Sequence, residues 1–152
     1  MTIDFGKKLG FGCLRLPLLD PQDQTSIDYK TLDEMIDKFL AHGFKYFDTS
    51  YIYHGQQSEI ALGKSLVARY PRDSYLLSTK MPIKFMKKKE DMEKIFEEQL
   101  RKCQVDYFDF YLIHSIGKEA YENCKKWDTF EFLMKKREEG KFREFGVSLH
   151  DS

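Results

Sequence analysis

Lys45-Tyr46-Phe47-Asp48-Thr49-Ser50-Tyr51-Ile52-Tyr53-His54 changes character in its middle. Tyr46 and Phe47 have the composition of a buried strand. Asp48, Thr49 and Ser50 then end it with polar groups. A buried carboxylate is costly unless it is paired, so Asp48 at the end of such a strand is either a cap or part of a site. Tyr53 then brings a phenol back to the same end.

The flanking sequence repeats this unit. Upstream, Lys8 to Pro17 reads as a short strand with glycines where a backbone or ligand approaches closely. A helix follows, capped by Ser26 or Asp28, with Leu32, Met35, Ile36, Phe39 and Leu40 as its apolar stripe and Gly43 as its stop. Downstream, Ser58 is placed to cap a helix carrying Ala61, Leu62, Leu66 and Val67, stopped by Pro71. Tyr75 to Met81 is a strand, and it ends in Lys80. Lys88 to Gln104 is a charged helix that buries Met92, Ile95, Phe96, Leu100 and Cys103. Tyr107 to His114 is the strongest strand of the chain, its aromatic stripe reading as core. Trp127, Phe130, Leu133 and Met134 mark a fourth helix closed by Gly140, and Glu144 to Leu149 is the last strand. The steps from Gly12 to Asp48, Lys80, His114 and Ser148 are 36, 32, 34 and 34 residues, the length of one strand–helix–strand step. Such alternation predicts an α/β fold with a parallel sheet and right-handed crossovers.

Composition bounds the function. The chain has 152 residues, with 25 Lys+Arg against 25 Asp+Glu. That balance argues against a nucleic-acid partner, which selects a basic excess. Lys87-Lys88-Lys89 is answered at once by Glu90, Asp91 and Glu93, and reads as a solvated helix face. Cys13, Cys103 and Cys124 form no C-x-x-C pair, so neither a disulfide framework nor a metal site is suggested, and a reducing cytoplasm fits. No apolar run has the length of a signal peptide or membrane span. Gly10-x-Gly12 is not a phosphate loop, because no third glycine opens a helix.

Parallel α/β proteins gather their chemistry at the carboxyl ends of the strands. Three successive strands here end in Asp48, Lys80 and His114, with Tyr53 on the loop after the first. Taken singly each has an ordinary explanation: a cap, a charged strand end, a satisfied core histidine, one tyrosine among nine. Together they make a chemical set. A phenol with a pKa near ~10 is a poor proton donor and acceptor at neutrality, a neighbouring ammonium would lower that value, and a carboxylate can hold the ammonium in place. A neutral imidazole can donate a hydrogen bond to a carbonyl oxygen. The set suits protonation of a carbonyl while hydride arrives at carbon, and since no side chain donates hydride, a nicotinamide must carry it. His42, His54 and His150 read as structural.

At these residues the chain resembles the aldo-keto reductase family. The resemblance is carried by Gly12-Cys13-Leu14-Arg15, Phe47-Asp48-Thr49-Ser50 through Tyr53, Ser78-Thr79-Lys80, Leu112-Ile113-His114, and Gly140-Lys141 through Gly146-Val147-Ser148. It implies an (α/β)8 TIM-type barrel that reduces an aldehyde or ketone to an alcohol with NADPH, or NADH. Carried over, Tyr53 is the general acid–base, Lys80 and Asp48 tune it, and His114 orients the carbonyl. Gly12, Cys13, Leu14 and Asp48 would lie near the nicotinamide and ribose, and Ser148 would meet the carboxamide. Leu149-His150-Asp151, where many members have asparagine after the serine, resembles a branch whose longer members end in a cysteine-rich iron–sulfur segment.

A full barrel needs about 250 residues. Residues 1–152 therefore read as one unit, the N-terminal portion of such a barrel (four to five β/α units) with no second domain. The expectation is a truncated chain, weakly active or inactive alone, or one completed by self-association or a second half-barrel. The competing expectation is a catalytically silent partial barrel that acts as a binding or assembly piece. A five-strand open flavodoxin-like sheet is the structural alternative, against which stands the missing phosphate loop.

Overall fold

The computed structural model describes residues 3–150 and holds five parallel strands in one sheet, ordered β1-β2-β3-β4-β5. The strands are β1 (Gly10–Gly12), β2 (Tyr46–Asp48), β3 (Leu76–Met81), β4 (Phe108–Ile113) and β5 (Phe142–Val147). Between them run α1 (Tyr29–Ala41), α2 (Ser58–Leu62), α3 (Asp91–Cys103), α4 (Lys118–Lys126) and α5 (Thr129–Glu138). Each strand pairs with its neighbour in sequence, and one register row runs Gly12, Asp48, Ser78, Phe110, Glu144.

The helices cover one face only. Phe39 of α1 packs on Phe11 and Phe47, Phe96 of α3 on Phe108 and Tyr111, and Phe130 of α5 on Phe145. Phe11, Phe47 and Leu77 share one row, and Thr79, Tyr111 and Phe145 the next row of the same face. The opposite face carries Tyr46, Asp48, Lys80 and Phe110, and no helix among the described residues lies on it; Phe5 stacks there against Phe110. A doubly wound sheet would be covered on both faces. One-sided cover is the barrel arrangement, so the flavodoxin-like alternative is set aside.

Several boundaries differ from the sequence reading, each for a local reason. The first strand is only Gly10–Gly12, because Cys13–Arg15 coils into a 3-10 turn. Asp28, not Ser26, caps α1 by accepting from the Thr31 N–H. Ser58 does not cap α2: it is the first helical residue, and its hydroxyl turns inward to lie 2.8 Å from Thr49 Oγ1. After α2 the chain widens into a π-turn over Gly63–Val67, and the helix is finished before Pro71. There Gly63 lies against α3 so closely that a Cβ would come within 2.6 Å of the Lys102 carbonyl oxygen. The third helix begins at Asp91, which takes the Lys87 and Lys88 N–H groups on its carboxylate, and Gln104 closes it in a left-handed turn. An additional helix, α4, precedes the one marked by Phe130 and Leu133. Trp127 is the end of α4 rather than part of α5. The last strand is Phe142–Val147, two residues earlier than expected. Of the aromatic stripe, Phe108 and Tyr111 are core, whereas Tyr107 and Phe110 are half-buried.

The amino-terminal ends of β3, β4 and β5 are tied by Asp109. Its buried carboxylate accepts from the Leu77 N–H at 2.9 Å and from Arg72 at 2.6 Å, and Arg143 lies 3.1 Å from its other oxygen. Arg72 is itself held over the Tyr107 ring at 4.0 Å. This knot sits at the opposite end of the sheet from Asp48, Lys80 and His114.

Candidate active site

Asp48 and Lys80 leave adjacent strands on the uncovered face, Asp48 as the last residue of β2 and Lys80 near the end of β3. The Lys80 ammonium donates to Asp48 Oδ2 at 2.7 Å and to the Thr49 carbonyl at 2.7 Å. Lys80 is 5% exposed, so this charge is held out of water and needs both partners.

His114 follows β4 and is fastened by its backbone N–H to the Met81 carbonyl at 3.0 Å. Its ring meets the Ser50 hydroxyl, with Nδ1 to Oγ at 2.9 Å. Burial, with Lys80, His150 and Lys84 as like charges, lowers its pKa from 6.5 to about 4. The imidazole is therefore neutral at physiological pH. The consequence for stability has a definite sign. The unfolded chain takes up this proton between about pH 6.5 and 4 while the folded chain refuses it. Stability from this group is present above pH 6.5 and is lost as pH falls toward 4. Denaturant midpoints measured across that window are expected to fall more steeply for the wild type than for His114→Gln.

Tyr53 completes the group. Its ring packs edge-on against His114, centroids 5.9 Å apart, and the Lys80 ammonium lies 5.2 Å from the ring centroid. One expectation is corrected here. Lys80 does not lower the phenol's pKa; burial raises it, with Asp48 and Cys13 adding to the effect. The reason is local: the ammonium's hydrogen bonds go to Asp48 and to the Thr49 carbonyl, not to the phenol. Tyr53 thus holds its proton at neutral pH, and among the described residues no side chain hydrogen-bonds to that hydroxyl.

The loop carrying Tyr53 is strained and bolted down. His54, Gly55 and Gln56 all have positive φ. His54 accepts from the Leu16 N–H at 2.9 Å through Nε2 and donates from Nδ1 to the Gln24 carbonyl. These two bonds settle its tautomer, and they support the structural reading of His54.

Behind Lys80 lies a buried polar layer that the sequence reading did not single out. Gln99 of α3 donates to the Lys80 carbonyl at 3.1 Å and to Glu59 at 2.7 Å, and Thr79 donates to the same Glu59 oxygen. Burial raises the Glu59 pKa. Nothing in the local pattern marks Glu59 or Gln99, since each sits on an otherwise ordinary helix face.

Of the remaining named residues, Gly12 ends β1 with open space where a Cβ would stand. Leu14 is exposed, whereas Cys13 is buried as a whole residue, its carbonyl accepting from the Ser58 hydroxyl. Ser148 is half-buried just after β5, with its N–H on the Ile113 carbonyl. Asp151 lies outside the described residues. A cavity of about 120 Å³ opens beside His114, lined by Ile52, Pro82, Lys84, Phe85 and Ser115. A larger one of about 580 Å³, lined by Lys45, Tyr75 and Arg143 among others, is at the other end of the sheet, away from this chemistry.

Comparison with known proteins bears on the family and the fold. L-galactose dehydrogenase of Arabidopsis thaliana is 34% identical over 110 residues, covering 70% of this chain and 34% of that protein. Glyoxal reductase of Bacillus subtilis is 33% identical over 116 residues, covering 76% of this chain and 39% of that protein. Among solved structures, the holo form of an aldo-keto reductase from Bacillus halodurans superposes with a TM-score of 0.74 at 26% identity, over 95% of this chain and 46% of that one. An aldo-keto reductase from Klebsiella pneumoniae in complex with NADPH gives 0.66 at 26% identity, over 94% and 45%. The chain thus spans less than half the length of these relatives, and its fold is part of their barrel. Residues 8–152 match the sequence profile of the aldo/keto reductase family, and to that family this chain belongs.

Proposed function

We propose that residues 1–152 form the N-terminal, proton-handling portion of an NADPH-dependent carbonyl reductase, and that Tyr53, Lys80, Asp48 and His114 are its site. The observation that supports this most is their convergence at the carboxyl end of three adjacent parallel strands. Tyr53 is the proton donor to the carbonyl oxygen, in the protonated form that reduction requires. Lys80, held by Asp48, stabilises the negative charge that grows on that oxygen. His114 donates a hydrogen bond to the same oxygen, and a neutral ring can do so without giving up its proton.

Two observations support a nicotinamide site: a Cβ at Gly12 would meet nothing within 4 Å, and Leu14, Asp48 and Ser148 are exposed or half-buried. Bound there, NADPH, or NADH, would supply the hydride. The neighbour from Klebsiella pneumoniae carries NADPH, which favours the phosphorylated cofactor. The three buried free cysteines suit a reducing cytoplasm; no helix among the described residues is long and apolar enough to cross a membrane.

The uncovered inner face, with Phe5, Tyr46, Phe110 and Leu112, favours a second reading as an assembly piece, and both readings call for something to cover that face. A second half-barrel, or self-association through the open edges of β1 and β5, would do so. The experiment is NADPH binding by fluorescence, with oxidation on a simple aldehyde, for residues 1–152 alone and for a barrel completed by a C-terminal half. Residues 1–152 alone are expected to bind weakly and turn over negligibly, because a fraction of the contacts rarely offsets the ~4–15 kcal/mol lost on association. The completed barrel is expected to reduce the aldehyde. A completed, cofactor-binding barrel without turnover would favour the silent reading; a soluble 1–152 monomer with robust turnover would remove the need for a second half.

A further inference from the structure

Ser50 is fully buried, and among the described residues its hydroxyl has one hydrogen-bond partner, His114 Nδ1 at 2.9 Å. Two arrangements satisfy that distance. If Nδ1 carries the proton, it donates to Oγ, and the serine's own hydrogen is left buried without an acceptor. If Nδ1 is bare, the serine O–H donates to it and no hydrogen is orphaned. A buried donor without a partner costs about 1–3 kcal/mol, so the second arrangement wins. The ring proton then sits on Nε2, the nitrogen that Ser50 does not occupy.

We infer that Ser50 is a positioning residue that selects the Nε2–H tautomer of His114 and so turns this ring into a hydrogen-bond donor toward a bound carbonyl. This rests on the carbonyl reductase reading for its use, but the tautomer itself does not. The register explains why a serine at this place can act on a histidine 64 positions away. Ser50 follows β2 by two residues, and its neighbour Thr49 donates its N–H to the Ser78 carbonyl of β3 at 2.9 Å. His114 is pinned to the end of the same strand through the Met81 carbonyl. The dipeptide Thr49-Ser50 therefore holds two members of the site at once, the Lys80 ammonium by a carbonyl and the His114 ring by a hydroxyl. The charged imidazolium would carry protons on both nitrogens and lose the distinction; the lowered pKa keeps the ring in the form on which Ser50 can act.

Long-range ¹H–¹⁵N spectra of the full chain, with the His114 signals identified by their loss in His114→Gln, read the tautomer directly at pH 7. The expected result is a ring protonated on Nε2 in the wild type. In Ser50→Ala the ratio of Nε2–H to Nδ1–H is expected to fall about fivefold, the size of one net hydrogen bond. Alanine is smaller than serine and fits the site, and circular dichroism checks that the fold is kept. A wild-type ring protonated mainly on Nδ1 overturns the inference without any variant. An unchanged ratio in a folded Ser50→Ala variant overturns it as well. Neither readout needs cofactor or turnover, so failure of the reductase reading, seen in the NADPH assay, is separate from failure here.

Discussion

Tyr53→Phe in the completed barrel is expected to lower carbonyl reduction by about 10²–10⁴-fold, the contribution of a positioned general acid. The phenylalanine ring keeps the edge-on contact with His114 and the place beside Lys80. No described side chain hydrogen-bonds to the lost hydroxyl, so unfolding midpoints should barely move. The effect should lie in kcat rather than in cofactor affinity, since the phenol's proton is needed only as the carbonyl oxygen gains charge. Steady-state kinetics with NADPH and one aldehyde, beside a denaturant titration, check both halves. Reduction at the wild-type rate would remove Tyr53 from its role.

Asp109→Ala should do the reverse, lowering stability by about 3 kcal/mol. Removing one member of a buried ion pair costs ~3–5 kcal/mol, because the partner charge is left without an anion. Here Arg72 is about a quarter exposed and Arg143 about half exposed, so water takes over part of their loss and the lower end applies. The Leu77 N–H loses its acceptor as well, and with it the tie between β3 and β4. Urea unfolding is the measurement. The two variants thus separate the two ends of one sheet. The proposed chemistry sits where the strands finish and the Asp109 tie where they start, a division general to parallel barrels. A shift below ~1 kcal/mol would mean that solvent replaces the carboxylate at little cost.

The sheet was legible because β2 and β4 are largely aromatic or aliphatic runs that end abruptly in Asp48 and His114, and because the steps between the strand ends are nearly even. That Lys80 and Asp48 pair, and that Tyr53 and His114 join them, followed from placing these ends side by side. What was not legible depends on contacts that no local pattern marks. Helix α4 buries little beyond Ala120 and Cys124, too thin a stripe to stand out in Lys-Glu-Ala-Tyr-Glu-Asn-Cys-Lys-Lys. The π-turn after α2 exists because Gly63 lies against the backbone of α3, a neighbour about 40 residues away in a chain whose loops take such distances in one crossover. Ser58 looked like a cap since serine usually is one before a helix; its hydroxyl instead serves Thr49 and the Cys13 carbonyl. The phenol's raised pKa is not legible in the sequence because it comes from burial first, with Asp48 adding to it, and burial depends on the packing of the loop rather than on residue type.

The ties among Asp48, Thr49, Ser50, Tyr53, Lys80 and His114 all lie within one uninterrupted stretch of the chain, on three strands adjacent in sequence and in space. A growing polypeptide would have this group in hand as soon as β4 docks beside β3, before β5 emerges. A crossover in the gene anywhere after His114 would pass the group on whole. The proposed proton-handling set can therefore be inherited, lost or exchanged as a unit, independently of the strands beyond His114.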